Sequence, residues 1–282
     1  MKLFRYGNPG HERPALLDAE GIGRDLSSVV GDIDAAALSD EALAHLSALD
    51  LSRLPRVDAG VRIGPCIAGV GNLIGIGLNF ADHAAEAGLP IPQHPLVFNK
   101  APSCIAGPDD PLRLPPGSLE VDYEVELAVV MGRDAWQVEA GQALEYVAGY
   151  CLSNDFTDRA WQSRYAGQWT IGKSAPGFGP LGPWLVTKDE VPDPADLLLE
   201  LQVNGQVRQR SNTNGMIFKV PELVAYLSRF FLLRAGDVIT TGTPAGVGMA
   251  TKHYLKAGDV IHAVCRPLGE QRIVVAATEP QR

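Results

Sequence analysis

The segment that most constrains the fold is 121–130, which reads Val-Asp-Tyr-Glu-Val-Glu-Leu-Ala-Val-Val. In an extended strand successive side chains point to opposite faces. One face would then be wholly apolar, and the other would carry Asp122, Glu124 and Glu126. Carboxylates two positions apart lie roughly 6.5 Å from each other, and they repel by about 2.5 kcal/mol at an effective dielectric constant of about 20. The acidic face therefore either lies in water or meets a cation.

The composition of this segment favours the cation. Acids are depleted in strands, and this strongly apolar run carries three of them. Carboxylate oxygens suit hard cations such as Mg²⁺, Mn²⁺ or Ca²⁺, whereas Zn²⁺ prefers His or Cys ligands. The segment predicts a divalent-metal site whose remaining ligand comes from elsewhere in the chain, with a solvated acidic edge strand as the alternative.

The whole chain has the composition of an ordinary soluble globular protein. It has 282 residues, 46% of them hydrophobic and 20% charged, which suits one large domain plus a small one. Its 30 glycines and 21 prolines favour a β-rich architecture over a helix bundle. The formal net charge of −9 leaves no basic stripe, so we expect no nucleic-acid binding.

The cysteines and the N-terminus indicate a cytoplasmic protein. The four cysteines are widely spaced and form no Cys-x-x-Cys pair, so free thiols in a reducing compartment are expected at Cys66, Cys104, Cys151 and Cys265. The N-terminus lacks the apolar stretch of a signal peptide. No apolar run reaches the roughly 18 residues of a spanning helix, so no membrane association is expected.

A change in composition near residue 66 predicts two structural units. The first contains strands over 2–6 and near 15–17, and a helix over 39–49 with Ser39 as N-cap. Glycines and prolines between positions 55 and 65 mark a linker, and apolar β-like runs follow. We expect a small N-terminal α/β module at 1–66 and a larger domain at 67–282.

A short predicted helix after the buried strand 73–78 carries a histidine and a carboxylate. Asn79 or Asp82 can cap this helix. His83 and Glu86 lie at positions i and i+3 and share a face. They are either a surface pair on a polar turn or a general base whose tautomer is fixed by the carboxylate.

Polar residues also follow the predicted strand 146–154. If a helical turn starts there, Asp155, Arg159 and Gln162 fall at i, i+4 and i+7 on one face, although Asp155 also suits an N-cap. Further on, Lys173 lies between a glycine and a serine. This lysine is placed either to meet an anion or to lie in water.

The C-terminal half contains several clear local patterns. Asn204-Gly205 between two β-like runs predicts a hairpin with a type I′ turn. A helix is expected over 220–233, and closing strands over 255–260 and 271–277. A strand and tight turn over 236–244 contain Thr243, where backbone N–H groups and hydroxyls can bind a carboxylate, with a plain β-turn as the alternative.

Taken together, these motifs resemble the fumarylacetoacetate hydrolase family. They occur in the family's order from about residue 70 to the C-terminus. The matching segments are 75–83, 122–127, Asn154-Asp155 with Arg159 and Gln162, 172–174, 182–184, 203–205 and 236–248. The resemblance implies an α+β, β-rich fold of the family's mixed β-sandwich or roll type.

The resemblance also implies a role for each candidate side chain. Three acids fall on the ligands of one divalent metal ion, Mg²⁺ or Mn²⁺, namely Glu124, Glu126 and Asp155. A dyad on a short lid helix activates water, and an amine stabilises the oxyanion; these groups fall on His83, Glu86 and Lys173. Polar groups around the substrate and its carboxylate fall on Arg159, Gln162 and Thr243. Asp122 belongs to the motif without binding metal.

The implied reaction is metal-dependent hydrolysis of a carbon–carbon bond in an acylpyruvate-type 2,4-diketo acid, giving pyruvate and a carboxylic acid. The N-terminal module resembles that of bacterial members acting on sugar-derived diketo acids, which implies a substrate such as 2,4-diketo-3-deoxy-L-rhamnonate, cleaved to pyruvate and lactate. Oxaloacetate decarboxylase, isomerase and lyase activities share the metal and enolate chemistry and stay open, as does a non-catalytic sugar-acid-binding protein. Dimers are common in the family, so a homodimer or higher homo-oligomer is expected.

Overall fold

Two β-sheets of nine and five strands form the frame of the molecule. The structure, a computed structural model, describes residues 1–277. Its strands are β1 (Lys2–Tyr6), β2 (Arg13–Leu17), β3 (Gly23–Asp25), β4 (Leu73–Gly77), β5 (Leu96–Lys100), β6 (Ile105–Ala106), β7 (Leu112–Arg113), β8 (Val121–Asp122), β9 (Val125–Met131), β10 (Val147–Asn154), β11 (Thr157–Asp158), β12 (Gly179–Pro180), β13 (Leu185–Thr187), β14 (Leu198–Val203), β15 (Gln206–Asn212), β16 (Val238–Thr240), β17 (Val260–Cys265) and β18 (Gly269–Ala276).

The helices are short and lie between the strands. They are α1 (Asp40–Ser47), α2 (Ala81–Glu86), α3 (Arg159–Arg164), α4 (Trp169–Lys173), α5 (Val220–Ser228) and α6 (Gly248–Thr251). Short 3₁₀ helices cover Ala35–Leu38, Leu51–Arg53, Pro102–Cys104, Ala140–Tyr146, Lys188–Glu190 and Thr213–Gly215. The predicted α+β, β-rich class is confirmed. No helix in the described part of the chain is long and apolar enough to span a membrane.

The nine-stranded sheet contains both the N-terminal strands and the acidic strand. Its order is β3-β2-β1-β13-β10-β9-β16-β4-β5, and the second sheet has the order β15-β14-β17-β18-β7. Strand β1 pairs antiparallel with β13, so β1 to β3 extend the large sheet. The division into units at 1–66 and 67–282 stays a prediction.

Local sequence signals were reliable where they concern neighbouring residues. The Ser39 side chain accepts a hydrogen bond from the Ala42 N–H and caps α1, as expected. Asn204 and Gly205 have φ values of 52° and 75°, the two positive angles of a type I′ turn. The predicted ends of helices and strands were less accurate. Helix α5 ends at Ser228, whose hydroxyl bonds back to Ala225 O and accepts the Val138 N–H, and β17 starts only at Val260.

The acidic segment forms two strands instead of one. Strand β8 pairs with β11, whereas β9 pairs with β10 and β16 in the large sheet. The chain changes partners at Tyr123 and Glu124, where the Glu124 N–H donates to Asn154 Oδ1 at 2.8 Å. All residues of 121–130 are buried, and β9 is an inner strand of the large sheet. The alternative of a solvated edge strand is therefore wrong.

Candidate active site

Three acids converge where β9 and β10 lie side by side. Ser153 lies opposite Glu126 in this ladder, which brings Asp155, just after β10, beside Glu124. One carboxylate oxygen from each of Glu124, Glu126 and Asp155 lies within 4.8 Å of the others, and all three residues are buried. The structure thus brings together the three acids that the family resemblance implied as metal ligands.

Burial and crowding affect the three acids differently. Burial together with the charges of Asp155 and Glu124 raises the pKa of Glu126 well above its usual value, and the Gly242 N–H donates to it at 2.8 Å. At Glu124, burial opposes ionisation, but the neighbouring Arg159 and Lys173 cations hold the pKa below its usual range. Negative charge in this cluster is therefore hardest to place on Glu126.

Lys173 lies between two of the acids at the end of α4. Its Nζ donates to Glu124 Oε2 at 2.8 Å, to Asp155 Oδ2 at 2.5 Å and to Thr157 Oγ1 at 2.8 Å. Only 2% of the residue is exposed, so the alternative of a solvated lysine is wrong. Although burial opposes it, the carboxylates raise the pKa of Lys173. All three N–H bonds of the amine are used by the protein.

The segment 167–174 also has the Gly-x₄-Gly-Lys-Ser spacing of a phosphate-binding loop. Its lysine lies on carboxylates, however, and residues 169–173 are helical. A Cβ at Gly172 would lie 2.6 Å from the backbone nitrogen of Gln162. Gly172 therefore allows α3 and α4 to pack closely, which places both Lys173 and Arg159 at the acids.

Arg159 provides the cation that the repulsion between the strand's acids requires. Its Nε donates to Asp122 Oδ2 at 2.8 Å, its Nη2 contacts Glu124 Oε1, and its Nη1 donates to Gln162 Oε1 at 3.2 Å. Helix α3 begins at Arg159 with Asp158 as its N-cap, so the predicted helical start at Asp155 and the capping alternative for that residue are wrong.

Lys100, at the end of β5, is a site residue that sequence reasoning missed. It is 2% exposed, and its amine contacts Asp155 Oδ1 and donates to Phe178 O at 2.8 Å. The sequence signal that could have indicated it is a lysine at the end of an apolar run. We call the following seven residues the acid cluster: Asp122, Glu124, Glu126 and Asp155 with Lys100, Arg159 and Lys173. It contains four carboxyl groups and three lysine or arginine side chains, so its formal charge is −1.

His83 lies on α2 at the side of the same cavity. It is 6% exposed, and its Nδ1 is 3.5 Å from Glu86 Oε2. Within residues 1–277 this nitrogen is buried without a hydrogen-bond partner. Burial excludes the surface-pair alternative for the histidine. The Glu86 carboxylate accepts the Gly246 N–H, at 3.0 Å to each oxygen.

The predicted caps of α2 were wrong. Phe80 occupies the N-cap position without a side-chain hydrogen bond, and Asp82 lies inside the helix. The Asn79 amide instead donates to Thr241 O at 2.7 Å and to Phe218 O at 3.0 Å. Asn79 therefore joins the start of α2 to the turn after β16.

Thr243 lines the cavity, and its hydroxyl is already hydrogen-bonded. Its Oγ1 donates to Val125 O at 3.0 Å and accepts from Gln209 Nε2 at 2.7 Å. The hydroxyl can donate to a ligand only by turning away from Val125. Gln209, which is fully buried, was also missed, because a glutamine in a hairpin strand gives no signal of this contact.

These residues surround one cavity of about 260 Å³. Its lining includes the three acids, His83 and Lys173, together with Arg159, Gln162 and Thr243. The structure thus brings all the predicted site residues to this cavity except Glu86, which lines an adjoining pocket with His83.

Comparison with known proteins shows to which family the chain belongs. The profile of the fumarylacetoacetate hydrolase C-terminal family matches residues 72–276. The chain belongs to the fumarylacetoacetate hydrolase family. A Burkholderia multivorans protein, provisionally named a hydrolase, is 54% identical over 274 residues, which cover 96% of this chain and 97% of the relative.

Solved structures of family members match over nearly their whole length. The fumarylacetoacetate hydrolase of Exiguobacterium antarcticum is 36% identical with a TM-score of 0.84, covering 98% of this chain and 99% of that one. Maleylpyruvate hydrolase from Sphingobium sp. SYK-6, in complex with manganese(II) and pyruvate, is 28% identical with a TM-score of 0.82, covering 99% and 100%. Isomerases also occur among the matches. This protein is therefore a family enzyme, either a hydrolase or an isomerase.

Proposed function

We propose that the protein hydrolyses a carbon–carbon bond in an acylpyruvate-type 2,4-diketo acid, releasing pyruvate and a carboxylic acid. The observation that carries this proposal is the presence, in one cavity, of a buried all-oxygen triad and a buried histidine whose Nδ1 is unpaired within residues 1–277. Binding of a sugar acid without catalysis would not need a base beside the acids.

The triad fits a divalent metal ion, Mg²⁺ or Mn²⁺. Its donors are all carboxylate oxygens, which hard cations prefer. Burial, together with the charges of Asp155 and Glu124, raises the pKa of Glu126, and a bound cation would offset both effects. Glu124, Glu126 and Asp155 would hold the ion. When bound, it supplies Lewis-acid polarisation of the 2-keto oxygen.

The chain's own residues supply the general base and the positive charge that stabilises the oxyanion. We assign His83 to take a proton from the water whose oxygen adds to the C4 carbonyl, and Glu86 to fix the imidazole tautomer when their 3.5 Å separation closes to a hydrogen bond. Because its three N–H bonds are occupied, Lys173 stabilises the C4 oxyanion through its charge.

The proposed reaction consumes one water molecule, and its atoms balance. As the C3–C4 bond breaks, its electron pair remains on C3 as the enolate of pyruvate, and the proton held by His83 returns to C3. The hydroxyl from water stays on C4, which leaves as the carboxylic acid. Arg159 and Gln162 are assigned to hold the polar end of the substrate, and Thr243 to meet its carboxylate.

The test is an assay of the purified protein with Mg²⁺ and separately with EDTA. Substrates are acetylpyruvate, 2,4-diketo-3-deoxy-L-rhamnonate and oxaloacetate, with pyruvate, the partner acid and CO₂ measured. The proposal expects pyruvate and one equivalent of partner acid, with activity lost in EDTA. Cleavage of oxaloacetate alone, with CO₂ released, would replace it with a decarboxylase.

An isomerase is the second candidate, because isomerases of the family share this fold at about 30% identity, one of them from Mycobacterium smegmatis at 31%. Isomerisation moves a proton and adds no water, so His83 could serve it equally. NMR of the reaction mixture separates the two, since an isomerase would change the double-bond position of an unsaturated dioate without releasing pyruvate.

A further inference from the structure

Two aromatic rings form one side of the cavity beyond the acid cluster. Phe98 lies on β5 and Trp169 opens α4, with ring centroids 5.4 Å apart and planes inclined by 56°. Both rings line the cavity. We call this pair the aromatic wall.

Glycines in β4 allow the rings to lie directly on its backbone. A Cβ at Gly75 would lie 2.1 Å from the Phe98 ring, and a Cβ at Gly77 would lie 2.3 Å from the Trp169 ring. Real Cβ atoms do not approach so closely, so any larger residue at either position would displace a ring. The Leu-Ile-Gly-Ile-Gly sequence of β4 therefore fixes the position of the aromatic wall.

The aromatic wall adjoins the acid cluster. Lys173 Nζ lies 4.8 Å from the centroid of the Phe98 ring, and Trp169 continues the surface. A diketo acid whose 1-carboxylate and 2-keto oxygen lie at the acids therefore reaches the wall with its C4 substituent.

Apolar side chains also line the cavity, and the hydroxyl of Ser163, a further polar lining residue, donates to Ala160 O at 3.2 Å. Ile76, Leu89 and Met249 line the cavity, and Leu89 is 49% exposed, which leaves apolar surface for a ligand to cover. The lysine and arginine on the lining, within the part of the chain that the structure describes, are Lys173 and Arg159. Both are already hydrogen-bonded to carboxylates. A second carboxylate on the substrate would therefore meet no lysine or arginine free to pair with it among the described residues of this lining.

We infer that the C4 substituent of the substrate is uncharged and apolar, of the branched-alkyl or aryl class, and packs on the aromatic wall. This inference rests on the proposed function. A hydroxyl buried there would lose its hydrogen bonds to water, and a carboxylate would lose more. The 1-hydroxyethyl group of 2,4-diketo-3-deoxy-L-rhamnonate therefore fits less well than an isopropyl group of the same shape.

The experiment compares kcat/KM with Mg²⁺ across substrates that differ only at C4: acetylpyruvate, isobutyrylpyruvate, benzoylpyruvate, the 1-hydroxyethyl diketo acid and fumarylpyruvate. Isobutyrylpyruvate should exceed its 1-hydroxyethyl isostere by about 10-fold or more. Benzoylpyruvate should exceed acetylpyruvate, and fumarylpyruvate should fall below it.

The substrate series separates the two proposals. If acetylpyruvate is cleaved but the 1-hydroxyethyl or fumaryl substrate is preferred, the apolar subsite is wrong and the hydrolase stands. If none of the five is cleaved, the proposed function falls and the subsite falls with it.

Variants test whether the aromatic wall causes the preference. Trp169→Ala should lower the isobutyryl to 1-hydroxyethyl ratio about 10-fold, and Gly77→Ala should lower it by displacing the same ring. Ile171→Ala is the matched control, because Ile171 lies on α4, is 39% exposed and does not line the cavity. Circular dichroism checks the fold of each variant. A wild-type ratio in folded Trp169→Ala or Gly77→Ala would overturn the inference.

Discussion

The acid cluster can be compared with a second group of ion pairs, which joins the N-terminal strands to the rest of the chain. This peripheral network consists of Arg5, Glu12, Asp32, Arg62 and Asp110. Like the acid cluster, it holds one carboxylate more than it holds cations. The two groups therefore have the same excess charge in different surroundings.

The acid cluster and the peripheral network differ in their exposure to solvent and in how their carboxylates are paired with cations. In the peripheral network each carboxylate lies within 3.6 Å of an arginine nitrogen, and the side chains of Asp32, Arg62 and Asp110 keep 23–26% exposure. Arg62 holds the pKa of Asp110 below its usual range, although partial burial opposes this. Glu126 is 2% exposed and has no ion pair within residues 1–277, so its pKa is raised. Solvent and arginines thus compensate the excess negative charge in the peripheral network but not at Glu126, which belongs to the proposed metal site.

The largest expected effect is on activity, from Glu126→Gln. The amide keeps the shape and removes the charge that would bind the metal, so kcat/KM with Mg²⁺ should fall at least about 100-fold. The free energy of unfolding in EDTA should not decrease, because repulsion among the acids is removed. Steady-state assay and urea denaturation measure the two effects. Wild-type turnover in this variant would remove Glu126 from the site.

His83→Ala should lower kcat by roughly 10²–10⁴-fold, the range for loss of a general base. Mg²⁺ affinity should stay unchanged, because the imidazole belongs to neither ion group. Calorimetry and turnover are measured on the same preparation. If turnover is unchanged, water activation must be assigned to another group.

Arg62→Met should affect stability and leave the metal site intact. The guanidinium donates to Asp110, Glu12 and Gly7 O, so its loss should lower the free energy of unfolding by about 2 kcal/mol. Urea denaturation gives the value, and Arg53→Met, within a 3₁₀ helix of the same N-terminal region, is the control. A change in Mg²⁺ affinity would show that the two groups are coupled.

The smallest effect is on pH dependence, which should have opposite signs in the two groups. The raised pKa of Glu126 gives metal-free protein stability that is present below pH 4.5 and lost as pH rises through the folded-state pKa. The lowered pKa of Asp110 gives stability that is present above pH 3.8 and lost as pH falls. In EDTA, the free energy of unfolding of Glu126→Gln should increase relative to that of wild type as pH rises. Equal slopes for the two proteins would contradict this assignment.

The sequence predicted features that depend on neighbouring residues. The spacing of Asp122, Glu124 and Glu126 indicated a site that needs a cation, and the turn at Asn204-Gly205 was predicted in type. The partner change at Tyr123 was not predicted, because it depends on β10 and β11, which follow later in the chain.

Contacts between distant segments were also beyond sequence reasoning. Lys100 reaches Asp155 across 55 positions, and Gln209 reaches Val125 across 84. Neither has a local pattern that names its partner. The predicted homo-oligomer and cytoplasmic location rest on the family resemblance and on composition, and they stay predictions.

The most direct test is calorimetric titration of Mg²⁺ into wild type, Glu126→Gln and Asp110→Asn. Each variant removes one acid from a group with one excess carboxylate, so the pair isolates the effect of surroundings. We predict one site per chain in wild type, affinity at least about 100-fold weaker in Glu126→Gln, and wild-type affinity in Asp110→Asn. Equal Mg²⁺ affinity in wild type and Glu126→Gln would contradict the metal site.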